Sequence, residues 1–65
     1  MRIQVNGDSR ELQAVDLAAA LDELGFGGAV VATAVNGQFV PAAARERAQL
    51  TEGDRIEVLA PMQGG

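Results

Sequence analysis

The turn and strand on which the fold prediction rests read LTEGDRIEVL, residues 50–59. Gly53 lies in a polar turn, where it can adopt the positive φ angle that such turns often require. From Arg55 to Val58, polar and apolar side chains alternate with the period of a strand that has one buried face. Residues 55–59 are therefore predicted to form the last strand of the domain, entered through a tight turn.

A hairpin is predicted immediately upstream. Residues 30–36 are rich in valine, and a period of two places Val31, Thr33 and Val35 on one face and Ala32 and Ala34 on the other. Asn36-Gly37 is a two-residue turn signal that leads into Phe39-Val40. Pro41 restricts that second strand to a sheet edge, and residues 42–49 are predicted to form one irregular helical turn.

The N-terminal residues predict a first hairpin. Ile3 and Val5 alternate with polar residues, and Asn6-Gly7 supplies the positive φ angles of a type I′ turn. The returning strand is expected to run through Arg10 to Gln13.

One short helix follows this hairpin. Asp16 is a candidate N-cap, and apolar residues recur from Leu17 to Leu24 at the i, i+3, i+4, i+7 spacing of an amphipathic helix. Gly25 is placed to end the helix in the left-handed conformation. The predicted order is strand, strand, helix, strand, strand, strand, which defines an α+β domain.

Composition excludes most kinds of chemistry for this 65-residue chain. It contains no Cys, no His and no Lys, so zinc sites, thiolate nucleophiles, imidazole bases and Schiff bases are absent. Its net charge of −4 disfavours nucleic acid and anionic membranes and favours a partner with a basic docking surface. The first residues alternate at once without a signal-peptide pattern, and we expect a cytoplasmic protein.

Two motifs are better explained by structure than by chemistry. Residues 25–28, GFGG, have no third glycine at position 30 and follow a helix, so they predict a helix cap and a connector instead of a phosphate loop. The neighbouring carboxylates Asp22-Glu23 and the pair Glu52 and Asp54 could bind a cation, but a solvated surface is the stronger interpretation.

Two features near the C-terminus point to a function. An apolar strip on the sheet face away from the helix, rimmed by charge, suggests a partner interface, although scattered surface alanines explain it equally well. The chain ends in Gly64-Gly65 after Pro61, which stops the preceding strand. Residues 61–65 extend at most ~17 Å, so we expect a domain over 1–60 and a flexible tail that can enter a narrow slot. The predicted interface comprises Leu59, Ala60, Met62, Ala32 and Ala34.

These features together resemble the ThiS family of ubiquitin-like sulfur carriers, over essentially the whole chain. The resemblance implies a β-grasp fold, a mixed sheet of four to five strands packed on one main helix, with the first and last strands parallel. Residues 50–58 and the terminal Gly64-Gly65 carry the resemblance together with the element order. The motifs of residues 35–37, 40–41 and 60–65 are more similar to ThiS than to its relative MoaD, the small subunit of molybdopterin synthase.

The resemblance also implies a mechanism in which this chain is a protein substrate and not an enzyme. A ThiF-like adenylating enzyme would use ATP and Mg²⁺ to activate the Gly65 carboxylate, and a persulfide donor would convert it into a thiocarboxylate. A ThiG-like thiazole synthase would receive the sulfur. Gly65 is then the covalent site and Gly64 allows close backbone passage, while the chain itself binds no cofactor or metal and needs no catalytic residue.

Three alternatives remain open at this point. A MoaD-like carrier would deliver sulfur to molybdopterin or another product. A ubiquitin-like modifier would form isopeptide bonds with target lysines. A non-covalent β-grasp binding module would tolerate an extra residue after Gly65, whereas a carrier would not.

Overall fold

The computed structural model describes residues 1–60, and the predicted tail, residues 61–65, lies outside them. Within the described part, neither helical segment is long and apolar enough to cross a membrane. In chain order the elements are β1 (Arg2–Val5), β2 (Asp8–Glu11), α1 (Leu17–Glu23), β3 (Ala32–Val35), β4 (Gln38–Val40), a 3-10 helix (Ala42–Arg47) and β5 (Arg55–Leu59).

The strands form one mixed sheet of five strands in the order β2-β1-β5-β3-β4. The last strand, β5, is central: it runs parallel to β1 and antiparallel to β3. The predicted mixed sheet and the parallel contact between first and last strands are confirmed. Strand β4 lies at an edge, as expected from Pro41, which cannot donate a ladder hydrogen bond.

The two hairpin turns have the predicted backbone. Asn6 and Gly7 have φ angles of 51° and 89°, and Asn36 and Gly37 have φ angles of 52° and 83°. Asparagine and glycine tolerate this left-handed region better than other residues, which is why they favour type I′ turns. Each hairpin therefore has a register fixed by its own two turn residues.

The helix α1 begins and ends where the sequence predicts. Asp16 Oδ1 accepts a hydrogen bond from the Ala19 backbone N–H at 2.8 Å, and Gly25 has a φ angle of 93° after the last turn. The apolar face of α1 packs against the inner face of the sheet. The buried core consists of Ile3, Val5, Leu12, Ala14, Leu17, Ala20, Leu21, Leu50, Ile56 and Val58.

Two strand boundaries differ from the prediction. The strand expected over 30–36 begins only at Ala32, which pairs with the last residue of β5. The returning strand of the first hairpin ends at Glu11 and does not reach Gln13. The reason is that both carboxylate oxygens of Glu23 accept the Gln13 backbone N–H, at 2.9 and 3.0 Å, in place of a ladder partner.

Candidate functional site

The outer face of the sheet, opposite α1, carries two large exposed apolar side chains. Leu59 is 73% exposed and Phe39 is 69% exposed. The alternation along each strand explains both positions, because Val58 and Val40 turn inward and pack in or against the core. Because both lie on the same face, they define a candidate contact surface.

Strand register brings these side chains together. Ala32 is opposite Leu59, and Ala34 lies between Phe39 on one neighbouring strand and Glu57 on the other. The small alanine side chains leave a shallow depression of about 310 Å³ between the two larger residues. We call the surface formed by Ala32, Ala34, Phe39 and Leu59 the outer patch.

The structure places some of the predicted interface residues and not others. Leu59, Ala32 and Ala34 share the outer face as predicted, and Ala60 is exposed directly after β5. Their role in binding a partner stays a prediction, because their position alone does not test it. The predicted residues Met62, Gly64 and Gly65 lie outside the described residues.

Phe39 belongs to the outer patch and was not predicted. The sequence contains a signal for it, because a strand that ends in Val40-Pro41 with Val40 inward must direct Phe39 outward. Placing Phe39 beside Ala34 also requires the register of the β3–β4 hairpin, which the Asn36-Gly37 turn sets. Aromatic residues dominate many protein interfaces, so Phe39 is the strongest candidate for an anchor.

Three of the four carboxylates considered as cation ligands, Glu23, Glu52 and Asp54, accept hydrogen bonds within the fold. Glu23 accepts hydrogen bonds from the backbone after β2, and Glu52 accepts one from the Arg2 backbone N–H at 3.1 Å. Among residues 1–60, no three acidic side chains lie close enough together to hold a metal ion.

Asp54 organises the turn that precedes β5. Its carboxylate accepts hydrogen bonds from the Asn36 side chain at 2.9 Å and from the Thr51 backbone N–H at 2.8 Å. These bonds, led by that from Asn36, hold the pKa of Asp54 below its ordinary value. The charged form of Asp54 therefore stabilises the start of β5.

A second depression, of about 400 Å³, lies between α1 and the 3-10 helix. It is less suited to binding because its main cation is already engaged: Arg45 donates to Thr33 Oγ1 at 3.0 Å and to the Val31 carbonyl at 2.6 Å. Gly27 also lines this depression; a Cβ atom there would approach Asp22 Oδ1 to 2.5 Å, a contact that rotation of the exposed Asp22 side chain relieves. The outer patch is therefore the better candidate, and it also adjoins the end of β5.

Comparisons with known proteins identify the family and the fold of the chain. The model of the ThiS family matches residues 3–65. The crystal structure of the thiamine biosynthesis protein ThiS from Geobacter metallireducens is 26% identical, with both chains covered completely and a TM-score of 0.83. A solution NMR structure of a thiamine biosynthesis protein from that organism is 25% identical, with this chain covered completely, 88% of the other covered, and a TM-score of 0.80.

A search of curated proteins found no significant match. The family model nevertheless covers nearly the whole chain, and the end-to-end structural similarity confirms the predicted α+β architecture as a β-grasp fold. The chain belongs to the ThiS family.

Proposed function

We propose that this protein is a sulfur carrier for thiamine biosynthesis and that its reactive group is the Gly65 carboxylate. The observation that carries this proposal is the family match, which extends through residue 65 and so includes Gly64-Gly65. The similarity to structures of thiamine biosynthesis proteins supports the pathway. The chain would be a protein substrate, with its catalytic groups supplied by partners, since it has no Cys, His or Lys.

The first step would be activation by a ThiF-like adenylating enzyme. A terminal carboxylate has a pKa of about 3.5 and is an anion at neutral pH, which makes it a poor electrophile. One carboxylate oxygen of Gly65 would attack the α-phosphorus of ATP, held with Mg²⁺ by the enzyme, and pyrophosphate would leave. The resulting acyl-adenylate has AMP as a good leaving group. The use of ATP is our reason for placing the reaction in the cytoplasm.

The second step would introduce sulfur. The terminal sulfur of a persulfide donor would attack the acyl carbon of Gly65 and displace AMP, which forms an acyl disulfide. A second thiol would then attack the donor's sulfur, form a disulfide with it and release the thiocarboxylate. A ThiG-like thiazole synthase would take that sulfur for the thiazole ring. The acyl carbon of Gly65 would receive an oxygen atom in exchange, from a carbonyl group of the sulfur acceptor or from water, which restores the carboxylate.

The outer patch would dock the partner enzymes. Its apolar residues adjoin the end of β5, so a partner that covers the patch also lies next to the point where the tail begins. Phe39 and Leu59 would supply most of the buried area, while Ala32, Ala34 and Ala60 allow close approach. Met62 would extend this interface along the tail.

The proposed division into a domain over 1–60 and a tail over 61–65 gives each part a task. Pro61 cannot donate a hydrogen bond to a sheet, which favours the end of strand pairing there. Residues 61–65 reach at most ~17 Å, enough to carry Gly65 from the docking face into a neighbouring active site. Gly64 has no Cβ, so the backbone can pass through a narrow channel.

The deciding measurement is the intact mass of the protein after incubation with its adenylating enzyme, ATP, Mg²⁺ and a persulfide donor. We expect a gain equal to the difference between one sulfur and one oxygen, located in the C-terminal peptide. A variant without Gly65, and a variant with one alanine added after Gly65, should fold normally and show no gain. Sulfur incorporation into the extended variant would contradict the assignment of the reaction to the Gly65 carboxylate. No gain in the wild type with an adenylating enzyme known to be active would favour a non-covalent module.

A further inference from the structure

The side chain of Asn6 reaches from the first turn to the end of β5. Its Nδ2 donates a hydrogen bond to the Val58 carbonyl at 3.2 Å, and its Oδ1 accepts one from the Val58 backbone N–H at 2.9 Å. The two residues are 52 positions apart in the chain. A single carboxamide thus satisfies both backbone groups of the second-last residue of β5.

This contact extends the hydrogen bonding between β1 and β5 beyond the last paired backbone groups. Strand β1 pairs with β5 only at Gln4↔Arg55 and Val5↔Ile56, after which the Asn6 N–H donates to the Ile56 carbonyl at 2.9 Å. The chain then turns away from β5, because Asn6 has a φ angle of 51°. A carboxamide has the same donor and acceptor as a peptide group, so the Asn6 side chain takes the place of the next backbone rung.

The second hairpin provides an internal comparison. Asn36 has the same left-handed backbone, with a φ angle of 52°, and its side chain also binds β5. Its Oδ1 accepts from the Arg55 backbone N–H at 3.0 Å, and its Nδ2 donates to Asp54 at 2.9 Å. The two turn asparagines therefore hold opposite ends of β5, with Asn6 at the end that leads to Gly65.

We propose that Asn6 is a positioning residue that fixes the direction in which β5 delivers the chain end. Without its carboxamide, the backbone of Val58 has lost both partners on the β1 side, and the last residues of β5 are held only by pairing with β3. The tail begins three residues further on, at Pro61, so a rotation at Val58 changes the direction in which the chain leaves the domain. This inference rests on the proposed function of Gly65.

The test compares Asn6→Gly with Asn36→Gly. Glycine keeps the positive φ angle of each turn. Asn6→Gly loses two side-chain hydrogen bonds to Val58, and Asn36→Gly loses one to Arg55 and one to Asp54, so both should be destabilised to a similar extent. Adenylation is measured as pyrophosphate release by the adenylating enzyme, at a temperature where both variants are folded. We expect Asn6→Gly to lower kcat about tenfold, the effect of a misplaced reacting group, with a smaller rise in KM because Leu59 belongs to the outer patch. Asn36→Gly should change neither.

A second readout does not depend on the enzyme. NMR relaxation of the Leu59 and Ala60 amides should show larger amplitudes of motion in Asn6→Gly and the wild-type values in Asn36→Gly. Equal effects of the two variants on kcat, a change of KM alone, or unchanged relaxation at Leu59 in Asn6→Gly would each overturn the proposal. If the wild-type protein is not adenylated at all, the proposed function fails, whereas the relaxation data still decide whether Asn6 orients the chain end.

Discussion

The two faces of β5 differ in how far their side chains are exposed to solvent. Ile56 is 1% exposed on the inner face, whereas Leu59, three residues later, is 73% exposed on the outer face. The inner face packs against α1, and the outer face beside Leu59 holds Phe39 instead of a second covering layer. A chain of this size builds only one thin core, so one sheet face supplies stability and the other remains free for partners.

The largest effect expected from this difference is on folding. Ile56→Ala removes buried methyl groups and leaves a cavity, which costs about 2–4 kcal/mol. A domain this small has only about 3–5 kcal/mol in total, so urea denaturation followed by circular dichroism should show a variant that is mostly or wholly unfolded. Leu59→Ala is the matched control on the same strand and should change the free energy of unfolding by no more than about 0.5 kcal/mol. Comparable losses for the two variants would remove the distinction between the faces.

The next effect concerns binding and should leave folding unchanged. Phe39→Ala truncates the aromatic anchor of the outer patch, and we expect its affinity for the adenylating enzyme to fall by about 1–2 kcal/mol, roughly tenfold, by isothermal titration calorimetry. Val15→Ala is the control, because Val15 is also exposed but lies before α1 and away from the outer patch. If both variants bind as tightly as the wild type, the patch is not the docking face.

Sequence reasoning predicted the parts of the fold that local chemistry determines. Asn6-Gly7, Asn36-Gly37 and the Asp16 cap need only their own neighbours, so their turn and helix geometry follows directly from residue type. The burial of Ile56 and Val58 follows from strict alternation. The parallel pairing of β1 with β5 did not follow from any local pattern and came from family resemblance.

The contacts that sequence reasoning missed join distant segments. Phe39 enters the outer patch only through the register of three strands, and the carboxamide of Asn6 meets Val58 only because β1 and β5 are adjacent. Glu23 shortens β2 by binding backbone that lies ten residues before it. Alternation predicts the face on which a side chain lies, but its neighbours depend on the topology.

Thr33 is an exception to the apolar character of the inner sheet face, because it is polar and buried. Its hydroxyl donates to the Val40 carbonyl at 2.8 Å and accepts from Arg45 Nε at 3.0 Å. Thr33→Val preserves the shape but leaves both partners unsatisfied, at an expected cost of about 1–2 kcal/mol in urea denaturation. Thr33→Ser keeps the hydroxyl, so the paired backbone N–H groups of β3 and β4 should retain their protection against amide hydrogen exchange. A Thr33→Val variant as stable as the wild type would show that the inner face needs only apolar contact.

The smallest effect should come from Asp54, which lies in the turn before β5 and belongs to neither face. Hydrogen bonds from Asn36 and Thr51 lower its pKa in the folded protein below the ordinary value of 3.8. A carboxyl group with a lowered pKa stabilises the folded protein at pH values above its ordinary pKa. This contribution disappears as the pH falls through the pKa that the group has in the folded state. Asp54→Asn should therefore destabilise the protein by about 0.5–1 kcal/mol at neutral pH, since the turn is open to solvent, and by progressively less below pH 3.8.

Asp8→Asn, on the exposed edge strand β2, controls for the change in net charge during urea titrations at each pH. A difference between the two variants that persists unchanged into acid would mean that the hydrogen bonds of Asp54 do not depend on its charge.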